Sequence, residues 1–306
     1  MTRRRLSEEE RLVSQDRSRS LTRARVARFR ARQNEERQAP LRAKLENRGY
    51  SPGIYHPRGQ ADEYSVLSAN PYRGCGHKCL YCFVSGQTIK DLSRAEFDAG
   101  AVPRKEFLKN LRKDAAKYRA AGITGQVLIT FTSDPYHPGD TERTRQTIEV
   151  LIEHGLGFCT LTKGGTRALR DLDLFRPKRD AYAATLTSLD DSFSLKWEPD
   201  APVPANRILA RKQFHKAGIF TWVSPEPVLD VEASLEIVKQ THHFVDLYKV
   251  GQVNHKKLTK TIDWRDYTLR AIEGLAKVGA RAYIKKDLQP YLPGGYDNPM
   301  RVPQHH

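Results

Sequence analysis

The stretch Tyr64-Ser65-Val66-Leu67-Ser68-Ala69-Asn70-Pro71-Tyr72-Arg73-Gly74-Cys75-Gly76-His77-Lys78-Cys79-Leu80-Tyr81-Cys82-Phe83 runs from a short β-rich segment into a loop carrying three cysteines. Their spacing is C-x3-C-x2-C. With four cysteines in 306 residues the chain has no disulfide framework, and three thiols so close together suit a metal or cluster. Thiolates hold iron–sulfur clusters, and four of them complete a [4Fe-4S] shell. Three without an obvious fourth leave one iron open to another ligand. Gly74 and Gly76 permit a tight loop, and Arg73, His77 and Lys78 place positive charge beside an anionic cluster. Zinc on Cys75, Cys79 and Cys82 with His77 is a second reading, although the spacing departs from paired C-x2-C sites. Three free structural cysteines is a third. Cys159 reads as a small packed hydrophobe in mid-strand more readily than as a fourth ligand.

Outward from this loop the text alternates between β-rich and helical runs. The former lie at Tyr64–Ser68, Gln126–Phe131, Leu156–Thr162, Ala181–Thr187, Ile219–Val223 and Phe244–Val250. Between them come Lys105–Ala121, Thr141–His154, Thr166–Phe175, Asn206–Ala217, Val231–Gln240 and Trp264–Val278 with helical character. Such alternation predicts an α/β fold with parallel strands and right-handed crossovers. Six units predict a partial (β/α)6-type barrel, with its chemistry at the C-terminal ends of the strands. The cysteine loop follows the first strand, where such a site belongs. A last β-like run, Arg281–Lys285, precedes a Pro/Gly-rich end, Gln289–Pro303, that reads as an extended tail packed over the barrel.

Residues 1–48 differ in character. They carry 15 basic and 7 acidic side chains, a surplus of eight that is half of the net charge of +16. Leu21, Arg25, Arg28 and Arg32 share helical spacing, and Ala24, Ala27 and Ala31 favour helix. The expected organisation is a basic N-terminal extension, helical or disordered, over 1–48, and a barrel domain with its tail over 49–306. Such a charge attracts polyanions, nucleic acid first among them; a plain solvated tail is the bland alternative. No apolar run approaches the ~20 residues of a membrane span, and the start of the chain lacks an apolar signal core. The expectation is a cytoplasmic protein with no membrane partner, where reduced thiols stay available.

The loop C-x3-C-x-Φ-C, with Tyr81 as the aromatic Φ, resembles the signature of the radical S-adenosylmethionine superfamily. Asn70-Pro71-Tyr72-Arg73-Gly74-Cys75, Thr132-Ser133-Asp134-Pro135-Tyr136, Thr162-Lys163, Arg170-Asp171 and Glu198-Pro199 extend the likeness to the spore photoproduct lyase-like, DNA repair photolyase-related branch. It covers roughly Tyr64 to Asn254 and says nothing of the basic N-terminus. The resemblance implies a radical SAM barrel with a [4Fe-4S] cluster on Cys75, Cys79 and Cys82. It implies S-adenosyl-L-methionine chelated to the open iron and reductively split to a 5′-deoxyadenosyl radical, with electrons from a separate flavodoxin or ferredoxin.

The residues expected around the cofactor follow the strand ends. Tyr81 belongs to the cysteine loop. Ser133 and Asp134 offer acceptors for the methionine ammonium, or else Asp134-Pro135 caps a turn. Lys163 suits the methionine carboxylate and Thr185 the ribose. Glu198 and Arg207 stand near the cofactor, either touching it or paired to shape the loop. Glu226, Gly251, Gln252, Asn254, Lys285 and Lys286 end later strands, with nothing to discriminate among them. The lyase returns a hydrogen from a cysteine just before Thr-Ser-Asp. Here Phe131 holds that place, which leaves Tyr136 and Cys159 as candidate catalytic hydrogen donors.

Three functions follow. The leading one is a radical SAM enzyme acting on nucleic acid, by base repair or modification. The second keeps the chemistry and changes the substrate to a protein or small molecule. The third is a DNA-binding iron–sulfur redox sensor without turnover.

Overall fold

Seven parallel strands form one sheet whose spatial order follows the chain. The computed structural model describes residues 24–41, 52–84, 92–252, 259 and 261–298. In chain order its elements are α1 (residues 24–41), β1 (Leu67–Ala69), β2 (Tyr72–Arg73), α2 (Arg94–Asp98), β3 (Val102–Pro103), α3 (Phe107–Ala120), β4 (Gln126–Ile129) and α4 (Glu142–Glu153). They continue with β5 (Gly157–Thr162), β6 (Ala181–Thr185), α5 (Asp191–Trp197), α6 (Pro204–Lys216), β7 (Phe220–Ser224), α7 (Val231–Thr241), β8 (Leu247–Val250), α8 (Trp264–Lys277) and β9 (Ala282–Ile284). The large sheet runs β1-β4-β5-β6-β7-β8-β9, while β2 and β3 form a separate antiparallel pair beside the cysteine loop.

Period-two alternation sets the layers. Leu128, Cys159, Ala181, Ala183, Trp222 and Leu247 point to one side and pack together inside the curl. Val127, Ile129, Phe158, Tyr182 and Ala184 point the other way, onto α3, α4 and α6. Val223, Tyr248, Val250 and Ile284 do the same toward α7 and α8. The sheet is a half-barrel, because β1 and β9 are its two edges and do not pair. Buried Glu63 bridges that seam: its Oε1 accepts from the Tyr283 hydroxyl at 3.0 Å and the Lys286 peptide N–H at 2.7 Å. Lys249, also buried, donates to the Tyr64 carbonyl at 2.7 Å.

The predicted alternation holds, with local differences. The first strand starts at Leu67, since Tyr64 caps a 3-10 turn over Gly59–Glu63. The segment expected as a helix at Thr166–Phe175 is a 3-10 run, Gly165–Leu174. The last β-like run expected at Arg281–Lys285 contains β9, the seventh strand of the sheet. Helix α5 was not anticipated; Asp190 caps it by accepting from the Phe193 N–H at 2.6 Å. In the described part of the tail a 3-10 turn at Gln289–Tyr291 leads to Asn298, which bonds both the N–H and the C=O of Ile284. Helix α1 lies exposed along most of its length. The expected boundary at 48/49, Asn254 and the last residues of the tail lie outside the described residues.

Candidate active site

The C-terminal ends of the strands open into a cavity of about 620 Å³, within the range of small-molecule sites. The loops after β4 and β5, the ends of β6 and β7, and residues just past β8 and β9 all reach it. The cysteine loop forms one wall through Tyr81 and Phe83.

That loop is held by its backbone. Cys75 N–H donates to Phe97 C=O at 2.8 Å, Leu80 N–H to Trp197 C=O at 2.9 Å, and Arg94 to Cys79 C=O at 2.9 Å. Gly74 has φ +80°, and a Cβ there would lie 2.2 Å from the Gly100 carbonyl oxygen, so the turn requires glycine. The Ser133 hydroxyl donates to the Gly74 C=O at 2.5 Å and thereby ties the β4 loop to the cysteine loop.

The three thiols are free and largely buried. Burial pushes the Cys79 thiol up to about 12 and the Cys75 thiol higher still, and neighbouring cysteines add to both shifts. A cluster bound there would take them as thiolates, and the C-x3-C-x2-C spacing on one loop supplies the three thiolates it would need. Among the described residues no three His, Cys, Asp or Glu side chains converge on a single-ion point. His77 does not join the cysteines either. Its Nε2 accepts from Arg167 at 2.8 Å, which puts the ring proton on Nδ1, 3.5 Å from the Asp134 carboxylate. The zinc reading therefore lacks its fourth ligand.

Other predicted residues divide between lining and support. Ser133, Asp134, Lys163 and Thr185 line the cavity with Tyr81. Asp134, however, is occupied: its carboxylate accepts from the Thr162 hydroxyl at 2.5 Å and from the peptide N–H groups of Lys163 at 2.7 Å and Tyr136 at 2.8 Å. It bolts the β4 and β5 loops together, with two donors on Oδ1 and one on Oδ2. Lys163 is the reverse case. Its ammonium sits 5.4 Å from the Tyr81 ring centroid and hydrogen-bonds to no described residue. Burial alone would lower its pKa, but Cys79 and Glu198 outweigh burial and keep it charged.

Glu198 and Arg207 do not reach the cavity. They form a buried ion pair behind the loop, in which Arg207 also donates to Pro202 C=O at 2.7 Å and Thr185 C=O at 3.2 Å. Glu198 accepts from the Tyr81 hydroxyl. The pair fixes the aromatic of the cysteine loop to the end of β6, the loop-shaping alternative. The two candidate hydrogen donors are also absent from the wall. Tyr136 is fully buried in the core under the helices, and Cys159 faces the floor of the curl, accepting from the Trp222 indole at 3.3 Å. Both lie outside the cavity lining.

The sequence reading passed over Tyr64, which it placed inside a strand. Its ring lies at the mouth against Phe131 and Trp222, each 5.9 Å away between centroids. Its hydroxyl donates to Glu226 at 2.7 Å and receives from Lys285 at 3.2 Å. Lys285 also donates to Glu226 at 2.7 Å, and all three line the cavity. Glu226 and Lys285, each charged and each at a strand end, were the available signal; Tyr64 had none.

No family model matches the chain. An uncharacterized protein of Acidianus two-tailed virus is 21% identical over 201 residues, 60% of this chain and 65% of that protein. An uncharacterized protein of Mycobacterium tuberculosis is 26% identical over 170 residues, 53% of this chain and 49% of that protein. The chain thus spans about half to two thirds of these relatives. Among solved structures, Streptococcus suis SuiB bound to S-adenosylmethionine matches with TM-score 0.57 at 13% identity, covering 78% of this chain and 56% of SuiB. Spore photoproduct lyase, in a mutant with bound AdoMet and dinucleoside spore photoproduct, matches with TM-score 0.56 at 13% identity, covering 74% and 78%. The chain shares its fold with both SuiB and spore photoproduct lyase, the latter being the branch that the sequence segments from Asn70 to Pro199 resemble.

Proposed function

We propose that the chain is a radical SAM enzyme, holding a [4Fe-4S] cluster on Cys75, Cys79 and Cys82 with S-adenosylmethionine in the adjoining cavity, and that it acts on nucleic acid. The observation that carries the reading is the cysteine loop at the C-terminal mouth of a parallel half-barrel, opening onto a cavity lined by an unpaired Lys163 ammonium. Cys75, Cys79 and Cys82 would hold the cluster, which when bound would supply the electron for reductive cleavage of the sulfonium.

The chain's own residues prepare that event. Lys163 offers its protons to the methionine carboxylate, and Thr185 its hydroxyl to the ribose. Asp134 and Ser133 keep the two loops in register with the cysteines. The Glu198–Arg207 pair fixes Tyr81 against the site, and Tyr64 and Phe131 wall the cavity against water. Leu80 stands 57% exposed on the cysteine loop, beside the half-exposed Lys78, and offers a face to a separate flavodoxin or ferredoxin.

Nucleic acid is favoured by the net charge of +16 and by α1, which carries Arg25, Arg28, Arg30, Arg32 and Arg37 against Glu35 and Glu36 in its own sequence. The test is anaerobic reconstitution, then dithionite and S-adenosylmethionine, with 5′-deoxyadenosine measured by chromatography. Wild type is expected to form it and Cys79→Ala to form none. Iron incorporation without deoxyadenosine sinks the enzyme reading in favour of a redox sensor. Stimulation by DNA or RNA, compared with peptides, decides the substrate class.

A further inference from the structure

The cavity has two polar ends, four strand spacings apart along the sheet: Lys163 after β5 and Lys285 after β9. Its carboxylates are partly taken. Asp134 accepts from the donors described above. Glu226 Oε2 takes Lys285 and Tyr64, while Oε1 is buried with no hydrogen-bond partner among the described residues. A donor is open as well. Lys285 is almost fully buried, yet hydrogen-bonds through only two of its three protons, to Glu226 and to Tyr64, whose ring centroid also lies 4.5 Å from the ammonium; it has no other hydrogen-bond acceptor among the described residues. A buried charge held this way contributes little stability over an apolar pair, so its place in a cavity wall points to a ligand. Tyr64 lines the cavity beside it, and exposed Arg58 stands at the rim.

We propose that the β9 end of the cavity is a substrate subsite, in which Lys285 donates its third proton to an oxygen acceptor of a nucleotide, a base carbonyl or a phosphate oxygen. Glu226 and Tyr64 are positioning residues that hold the ammonium charged and aimed. This rests on the reading above, in which Lys163 serves the cofactor, and it assigns the opposite end to the substrate.

The test titrates full-length reconstituted protein with uridine, ribose 5-phosphate and uridine 5′-monophosphate, and separately with S-adenosylmethionine. Lys285→Met is expected to weaken the monophosphate about tenfold or more, the worth of a charged hydrogen bond, while S-adenosylmethionine affinity holds. Lys285→Arg should keep most of the affinity. Loss confined to uridine assigns the base carbonyl; loss confined to ribose 5-phosphate assigns the phosphate. If Lys285→Met melts early, Lys285→Met/Glu226→Leu replaces it, removing the stranded carboxylate. The proposal is overturned if wild type binds none of the three, if the Lys285 variants bind them as wild type does, or if S-adenosylmethionine affinity falls instead. Tighter Lys285-dependent binding of N-acetylglycinamide overturns the nucleotide assignment. Failure of wild type to bind S-adenosylmethionine strikes the enzyme reading, a separate result.

Discussion

Replacing Arg207 with methionine removes one half of the ion pair behind the cysteine loop. Both partners are essentially inaccessible, with side-chain exposures of 1% and 0%. The change leaves the Glu198 carboxylate with hydroxyl donors alone: Tyr81, Thr187 at 3.4 Å and Ser194 at 3.3 Å. It also leaves the carbonyls of Pro202 and Thr185 without their donor. Breaking a buried pair on one side costs about 3–5 kcal/mol, because a desolvated charge is stranded. Removing both partners is far milder, so Arg207→Met/Glu198→Leu should regain most of that loss. The assay is urea unfolding, comparing midpoints at constant slope. Tyr81 would also lose its anchor in the double variant, so iron retention should fall there even though stability returns. An Arg207→Met cost below about 1 kcal/mol, or a double variant no better than the single, would refute the view of this pair as a mutually dependent buried unit.

Lys163→Met should weaken S-adenosylmethionine binding about tenfold or more with little loss of stability, because the ammonium makes no hydrogen bond to the described chain; equilibrium dialysis and a thermal melt check the two halves. Gly74→Ala forces a Cβ to 2.2 Å from the Gly100 carbonyl at φ +80°, so iron content per chain should drop sharply after reconstitution. Asp134 titrates below the usual carboxylate range: burial alone would raise its pKa, but His77, the Thr162 hydroxyl and two peptide N–H groups outweigh it. Its contribution to stability is thus full above about pH 4 and lost as pH falls through the depressed folded value. Stability measured from pH 6 to 2 should therefore fall less steeply in Asp134→Asn. Deleting residues 1–48 should weaken oligonucleotide binding and flatten its salt dependence, as fewer phosphates are neutralised; unchanged binding and slope would remove the basic arm from the interface.

The sequence by itself determined the class of fold. Regular alternation of β-branched runs and amphipathic helices admits few topologies once crossovers are right-handed. The spacing of Cys75, Cys79 and Cys82 after the first strand placed the cysteine loop at the strand ends, and Lys163 and Thr185 were legible as lining residues because strand ends face the cavity. Boundaries were less legible: the 3-10 turn at Gly165–Leu174 has the composition of a helix, and only packing against α6 decides its pitch. What each polar residue does was settled by tertiary structure. Asp134 and Lys163 look alike as candidates for the two ends of an amino acid. Three-dimensional packing puts chain donors on both oxygens of the first and leaves the second with no hydrogen-bond partner among the described residues, only the Tyr81 ring beside it. Cys159 and Tyr136 carry reactive groups, yet strand parity and helix docking turn them into floor and core. Tyr64 gains its place only because β7 and β9 bring Glu226 and Lys285 to it across more than 160 and 220 residues. Local periodicity reports which face a side chain takes; the partner waiting there is fixed by contacts between strands distant in sequence.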